Sequence, residues 1–347
     1  MSDTDIIECM RIVFAHFGSR IPKFLILNMI RVGLMYEKYP VTLLTDQKPF
    51  KFQQPNISIT KVQRDNSWVL IEHQLTHPRK FRNNFWFTSL IRFIEIAKFG
   101  LDCNEKMLHI ESDVVTSSDL PLDKLELINE PLAFPLFNDE MGIASLLLVN
   151  KKQGSQLLLD ECLAAVKNDS KTTDMLVLGQ LARNYPNKVL ILPSFIDTRN
   201  MLRSQDVDYK NKITLNIPKF GGVFDGLDIG QFIFGEDARN NRGLRILRRM
   251  NPYSNLNVLS CEYKFKSNRD FPYLIGHNQF SFPLYSIHIH SKNKRAFKLD
   301  NSRYLRKYFY NSRLGRTNEF EPITFLSGLT RFISRRILKL AFGSNDH

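Results

Sequence analysis

The opening stretch constrains the fold more than any other. Arg11-Ile-Val-Phe-Ala15 is a short β-branched and aromatic run, and His16-Phe-Gly-Ser-Arg20 follows it as a loop. Pro22 can open a helix, and Leu25, Ile26, Met29, Ile30, Gly33 and Leu34 recur at helical spacing up to Tyr36. Val41-Thr-Leu-Leu-Thr45 is a second strand that ends at Asp46. Strand, helix and strand in that order form a βαβ unit, which implies a parallel sheet with ligands gathered at the carboxyl ends of its strands. His16, Gly18 and Asp46 stand at those ends.

The alternation continues. Ile57 and Ile59 suggest a short strand and Trp68 to Leu75 a helix. From Asn84 to Phe99, Trp86, Leu90, Phe93, Ile94 and Ala97 mark one helical face and Thr88, Arg92 and Glu95 another, with Gly100 expected to stop the helix. Arg92 on that polar stripe can face either solvent or an anion, with solvent the default for a lone helical arginine. Leu132-Ala-Phe134 and Val189-Leu-Ile-Leu192 read as strands, and the apolar run Ile143 to Val149 as a central strand buried on both faces. Gly154 to Val166 and Asp174 to Ala182 read as helices, the second capped by Thr172 or Thr173. This is the pattern of an α/β sheet domain.

Within it, Lys106-Met-Leu-His-Ile-Glu-Ser-Asp-Val-Val115 runs from an apolar strand into two carboxylates. Side chains at i and i+2 of an extended segment share a face, so Glu111 and Asp113 can meet one ligand. Hard cations such as Mg²⁺ and Mn²⁺ take carboxylate oxygens and share themselves with phosphates, so the pair is a plausible diphosphate anchor. Later, Leu284-Tyr-Ser-Ile-His-Ile-His-Ser-Lys292 alternates, which places Ser286, His288, His290 and Lys292 on one strand face. That row offers metal ligands and a phosphate partner together. The glycine- and aromatic-rich segment Phe220 to Asp237, with acids at 225, 228, 236 and 237, reads as a binding loop leading into a short helix rather than as packed structure.

A net charge of +13 over 347 residues calls for an acidic partner: nucleic acid, anionic lipid or a phosphorylated substrate. Cys9, Cys103, Cys162 and Cys261 show neither zinc-site nor disulfide-framework spacing, which fits a reducing compartment. Asp3, Asp5 and Glu8 are the wrong charge for a signal peptide, and Lys23, Arg31, Arg92 and Lys98 interrupt the best apolar stretches, so a soluble or peripheral protein is expected. Thr330 to Phe342 has the spacing of a basic amphipathic helix suited to an anionic bilayer surface or to packing on the domain.

In this order, the pieces resemble nucleotide-sugar glycosyltransferases of the GT-A fold, particularly bacterial and viral polysaccharide enzymes. The first strand, the His16-Phe-Gly18 loop and the strand ending in Thr45-Asp46 resemble that fold's nucleotide-binding start. Ser89-Leu-Ile-Arg-Phe93 is similar to the helix before the metal motif, where the family has an acid in place of Ser89. His109-Ile-Glu-Ser-Asp113 resembles the DXD motif with Glu111 first, Phe224 to Asp237 the acceptor-side region, and Ile287-His-Ile-His-Ser-Lys292 the late histidine-bearing strand.

The resemblance implies a Rossmann-like mixed sheet flanked by helices over residues 1–300 and a basic C-terminal helical extension over 301–347. It implies a metal-dependent enzyme using Mn²⁺ or Mg²⁺ to move a sugar from a nucleoside diphosphate sugar to a glycan or lipid-linked acceptor, in the cytoplasm at the inner membrane face and not on nucleic acid. Asp113 would ligate the metal, Glu111 would contact metal or ribose, and His288 or His290 would be a late ligand. Lys292 and Arg92 would neutralise the diphosphate, and His16 and Gly18 would border the nucleotide. An inverting reaction also needs a carboxylate base, for which Asp174 and Asp225 are the candidates, whereas a retaining one does not. The rival reading is a basic nucleic-acid-binding protein or nuclease holding Mg²⁺ on Glu111 and Asp113.

Overall fold

A computed structural model describes residues 10–18, 20–78, 84–196, 207–237, 258, 262–266, 270–275 and 280–314. The βαβ start is present as expected: β1 (Arg11–His16), α1 (Lys23–Met35) and β2 (Val41–Thr45), with β1 and β2 paired in parallel. β3 (Ile57–Lys61), α2 (Asn66–Gln74), α3 (Phe85–Cys103) and β4 (Lys106–Ile110) follow. Next come β5 (Val114–Thr116), α4 (Leu122–Glu126), β6 (Leu132–Phe134), β7 (Leu146–Asn150), α5 (Lys151–Asn168), α6 (Asp174–Asn184) and β8 (Val189–Ile191).

The large sheet has seven strands in the order β3-β2-β1-β4-β7-β6-β8. β7 alone runs against its neighbours, so the sheet is mixed but mostly parallel. Successive residues of β1 enter different cores. Val13 and Ala15 join Met107, Leu147 and Val149 on the face covered by α3 and α5, while Ile12 and Phe14 join Leu108, Leu148 and the Leu25 and Met29 of α1 on the other. Burial on both faces is why the strands read as unbroken apolar runs.

Gly100 does not stop α3, which continues to Cys103 and ends at Asn104 in the left-handed region (φ 54°). The glycine serves close packing instead: a Cβ there would lie 2.2 Å from Ser155 Oγ of α5 and 2.4 Å from Met107 Cε. Gly100→Val is expected to cost about 1–3 kcal/mol through overpacking, read as a lower urea midpoint at unchanged slope.

A second, smaller sheet is built later in the chain. α7 (Val207–Leu215) and α8 (Ile217–Phe220) lead to β9 (Val223–Phe224) and α9 (Asp228–Phe234). β10 (Glu262–Lys264), β11 (Tyr273–Ile275) and β12 (Ser281–His288) form an antiparallel run that continues onto β5, with β9 parallel to β12. Residues 223–235 are buried throughout, so the glycine-rich segment is packed structure and not an open loop. Its aromatics explain this: Phe224 meets Phe220 and Tyr285 at ring-centroid distances of 5.3 and 5.2 Å.

A 3-10 turn over Lys294–Phe297 precedes α10 (Ser302–Leu314), whose Leu305 and Phe309 enter the main core. The extension expected from residue 301 thus begins as a packed helix, and the basic stretch 330–342 lies outside the described residues. Among the described residues, no helix is long and apolar enough to cross a membrane.

Candidate metal and diphosphate site

The chain passes from the large sheet to the small one between β4 and β5, and the acidic pair sits at that crossing. Residues 112 and 113 form a turn in which Val114 N donates to Glu111 O (3.0 Å), so the carboxylates converge by turning rather than through an extended i, i+2 spacing. Asn28 of α1 pins the turn by donating from Nδ2 to Val114 O (2.6 Å). β12 lies antiparallel to β5 with His288 opposite Val114, and Ile289 N donates to Asp113 O at 2.7 Å. The late strand is thereby laid against the acidic turn.

His288 Nε2 lies 3.3 Å from Asp113 Oδ1 and 3.5 Å from Glu111 Oε2. One ligand atom from each of the three residues lies within 4.8 Å of the other two, and all three residues are buried. His288 Nδ1 is 3.0 Å from Gly226 O. A carbonyl only accepts, so Nδ1 carries a proton and the neutral ring turns its Nε2 lone pair toward the carboxylates. Two carboxylate oxygens and an imidazole nitrogen could hold a divalent metal ion. His290 is not in this group; its ring stacks on His288 with centroids 4.0 Å apart.

β12 ends at His288, so the expected strand face stops short of Lys292. Lys292 has φ 50°, a left-handed conformation that costs a non-glycine residue roughly 1–2 kcal/mol. With its N–H donating to Ile289 O (2.8 Å), the turn brings Lys292 Nζ to 3.2 Å from Asp113 Oδ2. Asp237, named in the sequence only as one of several loop acids, receives the same ammonium at 3.3 Å and is buried. No spacing rule links residues 237 and 292, so the pairing had no sequence signal.

Burial opposes the Asp113 charge, yet the Lys292 and His288 charges hold its carboxyl well below the usual range. Burial likewise works against an imidazolium at His288, but the Asp113 carboxylate lifts it to about 9. Above the ordinary value of 6.5, such a shift favours the metal-free fold fully below about 6.5, and the contribution is lost as pH rises through about 9. Ligation needs the neutral ring. Mn²⁺ affinity is therefore expected to rise roughly tenfold per pH unit below pH 9, with proton release on binding. Calorimetry at pH 7 and 8 in buffers of different ionisation enthalpy checks both.

Arg92 is not on a solvated stripe. Its side chain is 14% exposed, with Nη1 donating to Glu111 Oε1 at 2.7 Å and Nη2 to Asp174 Oδ2 at 3.0 Å. Burial opposes its charge, but the two carboxylates more than offset this and raise its pKa. Asp174 is the first residue of α6, behind the Thr173 cap, and burial leaves its pKa raised despite the Arg92 charge beside it; the Ser89 hydroxyl donates to Trp86 O at 2.9 Å. Beneath this fork, His109 Nδ1 is 3.0 Å from Val13 O, and burial followed by the Arg92 charge depresses its pKa to about 4.

Asp225 accepts three backbone amides: Ile229 N (3.1 Å), Gly230 N (2.8 Å) and His288 N (3.0 Å). Burial nevertheless leaves its pKa raised. It ties the start of α9 to the end of β12 and so holds the backbone that carries His288. Gly230 permits the approach, because a Cβ there would lie 2.1 Å from His288 O. At the carboxyl edge shared by β1 and β2, Gly18 (φ 83°) donates its N–H to both Asp46 oxygens at 3.1 and 3.2 Å, and His16 ends β1 opposite Thr45.

Buried carboxylates and an imidazole, with a partly exposed ammonium beside them, thus gather where the mixed α/β sheet hands over to the small one, and the Glu111, Asp113 and His288 group could hold a metal ion. No protein-family model and no curated protein matches the chain. Among solved structures it is similar to the galactosyltransferase LgtC in complex with donor and acceptor sugar analogs, at 16% identity and TM-score 0.42, covering 59% of this chain and 84% of that one. It is also similar to the PaToxG glycosyltransferase (12%, TM-score 0.36, covering 52% and 70%). A third is a glycosyltransferase involved in glycosylation of the major capsid of PBCV-1 (11%, TM-score 0.31, covering 53% and 80%). Likeness of this order leaves the chemistry to be argued from the residues.

Proposed function

We propose that the chain is a metal-dependent glycosyltransferase that moves a sugar from a nucleoside diphosphate sugar to a glycan or lipid-linked acceptor. The observation that carries this reading is the convergence of Glu111, Asp113 and His288 within 4.8 Å, with the Lys292 ammonium 3.2 Å from Asp113. That arrangement suits a diphosphate shared between a cation and a lysine. Breaking the sugar–diphosphate bond builds charge on the leaving oxygen, which a bound Mn²⁺ or Mg²⁺ would neutralise. Lys292 donates to the same phosphates, and Arg92 acts through Glu111 by fixing one of its oxygens. His16 and Gly18, at the same sheet edge, border the nucleoside.

Where the resemblance leads one to expect an acid, Ser89 donates to Trp86 O instead, and the acid beside Arg92 is Asp174 from α6. With Asp174 engaged there and Asp225 on three amides, we assign both to positioning. A transfer that retains configuration needs neither as a base.

Acceptor and membrane face one surface in this reading. Lys294, Arg295, Lys298, Arg303 and Lys307 are exposed in the stretch after Lys292, which also carries Leu299 and Tyr310, 59% and 65% exposed. Basic side chains interspersed with protruding apolar ones suit an anionic lipid surface carrying a lipid-linked acceptor.

The test is calorimetric titration of a panel of nucleoside diphosphates with and without Mn²⁺. Binding of at least one nucleotide that tightens about tenfold or more with the metal is expected, as a shared diphosphate requires. A folded protein that binds none of them would overturn the assignment.

A further inference from the structure

Asp113 is shared between two cationic partners, and one of those partners is shared between two carboxylates. Asp113 Oδ1 faces His288 Nε2 at 3.3 Å, while its Oδ2 faces Lys292 Nζ at 3.2 Å. A second carboxylate, Asp237, has its Oδ2 3.3 Å from the same Nζ. The carboxylate offered to a cation is thus already neutralised by a lysine, and that lysine already touches a second buried carboxylate. A dication on Asp113 and an ammonium on the same carboxylate repel each other strongly where water is excluded. The lysine stem is flexible enough to shift its head between neighbouring acceptors.

We propose that Lys292 and the divalent cation exchange on Asp113, and that Asp237 is the positioning residue to which the ammonium retreats. Before metal arrives, Lys292 stabilises the acidic pair. When a cation takes Asp113, the ammonium moves onto Asp237 and stays beside the place where a diphosphate must lie. Asp237 thereby keeps a leaving-group lysine within the site that would otherwise be expelled toward solvent, and metal binding prepares the diphosphate site. This inference rests on the metal reading above.

The test is Mn²⁺ titration by calorimetry without nucleotide, on the wild type, Lys292→Met, Asp237→Asn and the double variant, each shown folded by circular dichroism. Losing the competitor should tighten Mn²⁺ binding about tenfold in Lys292→Met. Losing the retreat should weaken it roughly three- to fivefold in Asp237→Asn. In the double variant the Asp237 effect should vanish to within about twofold of Lys292→Met, because Asp237 acts through the lysine. Lys292→Gln, which keeps a polar head, stands in if the methionine variant does not fold. Unchanged or weaker binding in the Lys292 variants overturns the exchange, and additive effects in the double variant overturn the role of Asp237. A wild type that is folded but binds no Mn²⁺ overturns the metal reading together with the exchange, whereas the other failures leave that reading standing.

Discussion

Asp113→Asn should abolish metal-dependent nucleotide binding and lower sugar transfer by about a hundredfold to a thousandfold, the range expected when a group that organises transition-state charge is lost. The side chain keeps its size, so the effect is one of charge. Its two oxygens face His288 and Lys292, and a neutral amide cannot satisfy both as a carboxylate does. His288 would lose the partner that lifts its imidazole, so the proton release expected on metal binding should disappear with the affinity. Stability should change far less than activity, because Glu111 still faces His288 and Asp237 still holds Lys292. Mn²⁺ titration beside a thermal melt separates the two. Wild-type metal affinity in the variant would remove Asp113 from the centre.

Arg92→Leu should be the most destabilising single change at the site. It leaves Glu111 and Asp174 facing a buried apolar side chain, and removing one partner of a buried ion pair costs about 3–5 kcal/mol. The loss should be smaller near pH 5 than near pH 8. Without Arg92, burial pushes the Asp174 carboxyl up further, so it can shed its charge by protonation in mild acid but not at alkaline pH. Arg92→Lys should recover only part, since a single ammonium cannot reproduce a planar fork that meets Glu111 at 2.7 Å and Asp174 at 3.0 Å. Urea unfolding of both variants at the two pH values checks this. A pH-independent loss would mean that Arg92 matters for packing and not for charge.

The elements were largely legible in the sequence, and the site partly so. β1, α1, β2, α3, β6 and α6 announce themselves by periodicity and caps, which are local properties. Glu111 and Asp113 are legible because they end an apolar strand. Gly100 was misread because a glycine that ends a helix and one that lets two helices touch look alike until Ser155 is known to lie opposite. Arg92 is legible only as a choice between solvent and an anion, because its two carboxylates belong to β4's end and to α6, and neither is signalled by helical spacing. The Phe220 to Asp237 segment looked like an open loop because glycines and acids suggest one. Its aromatics are buried against Tyr285, and Asp225 spends its charge on backbone amides rather than on solvent.

The crossing from the large sheet to the small one also orders events in time. Glu111 and Asp113 are synthesised early, whereas His288 and Lys292 arrive with β12, near the end of the described chain. Pairings between segments so far apart in sequence are the slow ones to form. A nascent chain can complete β1 to β4 while its acidic turn still lacks both histidine and ammonium. Such a chain has its first parallel strands but no assembled centre, so the activity proposed above would be withheld until the last strands are in place.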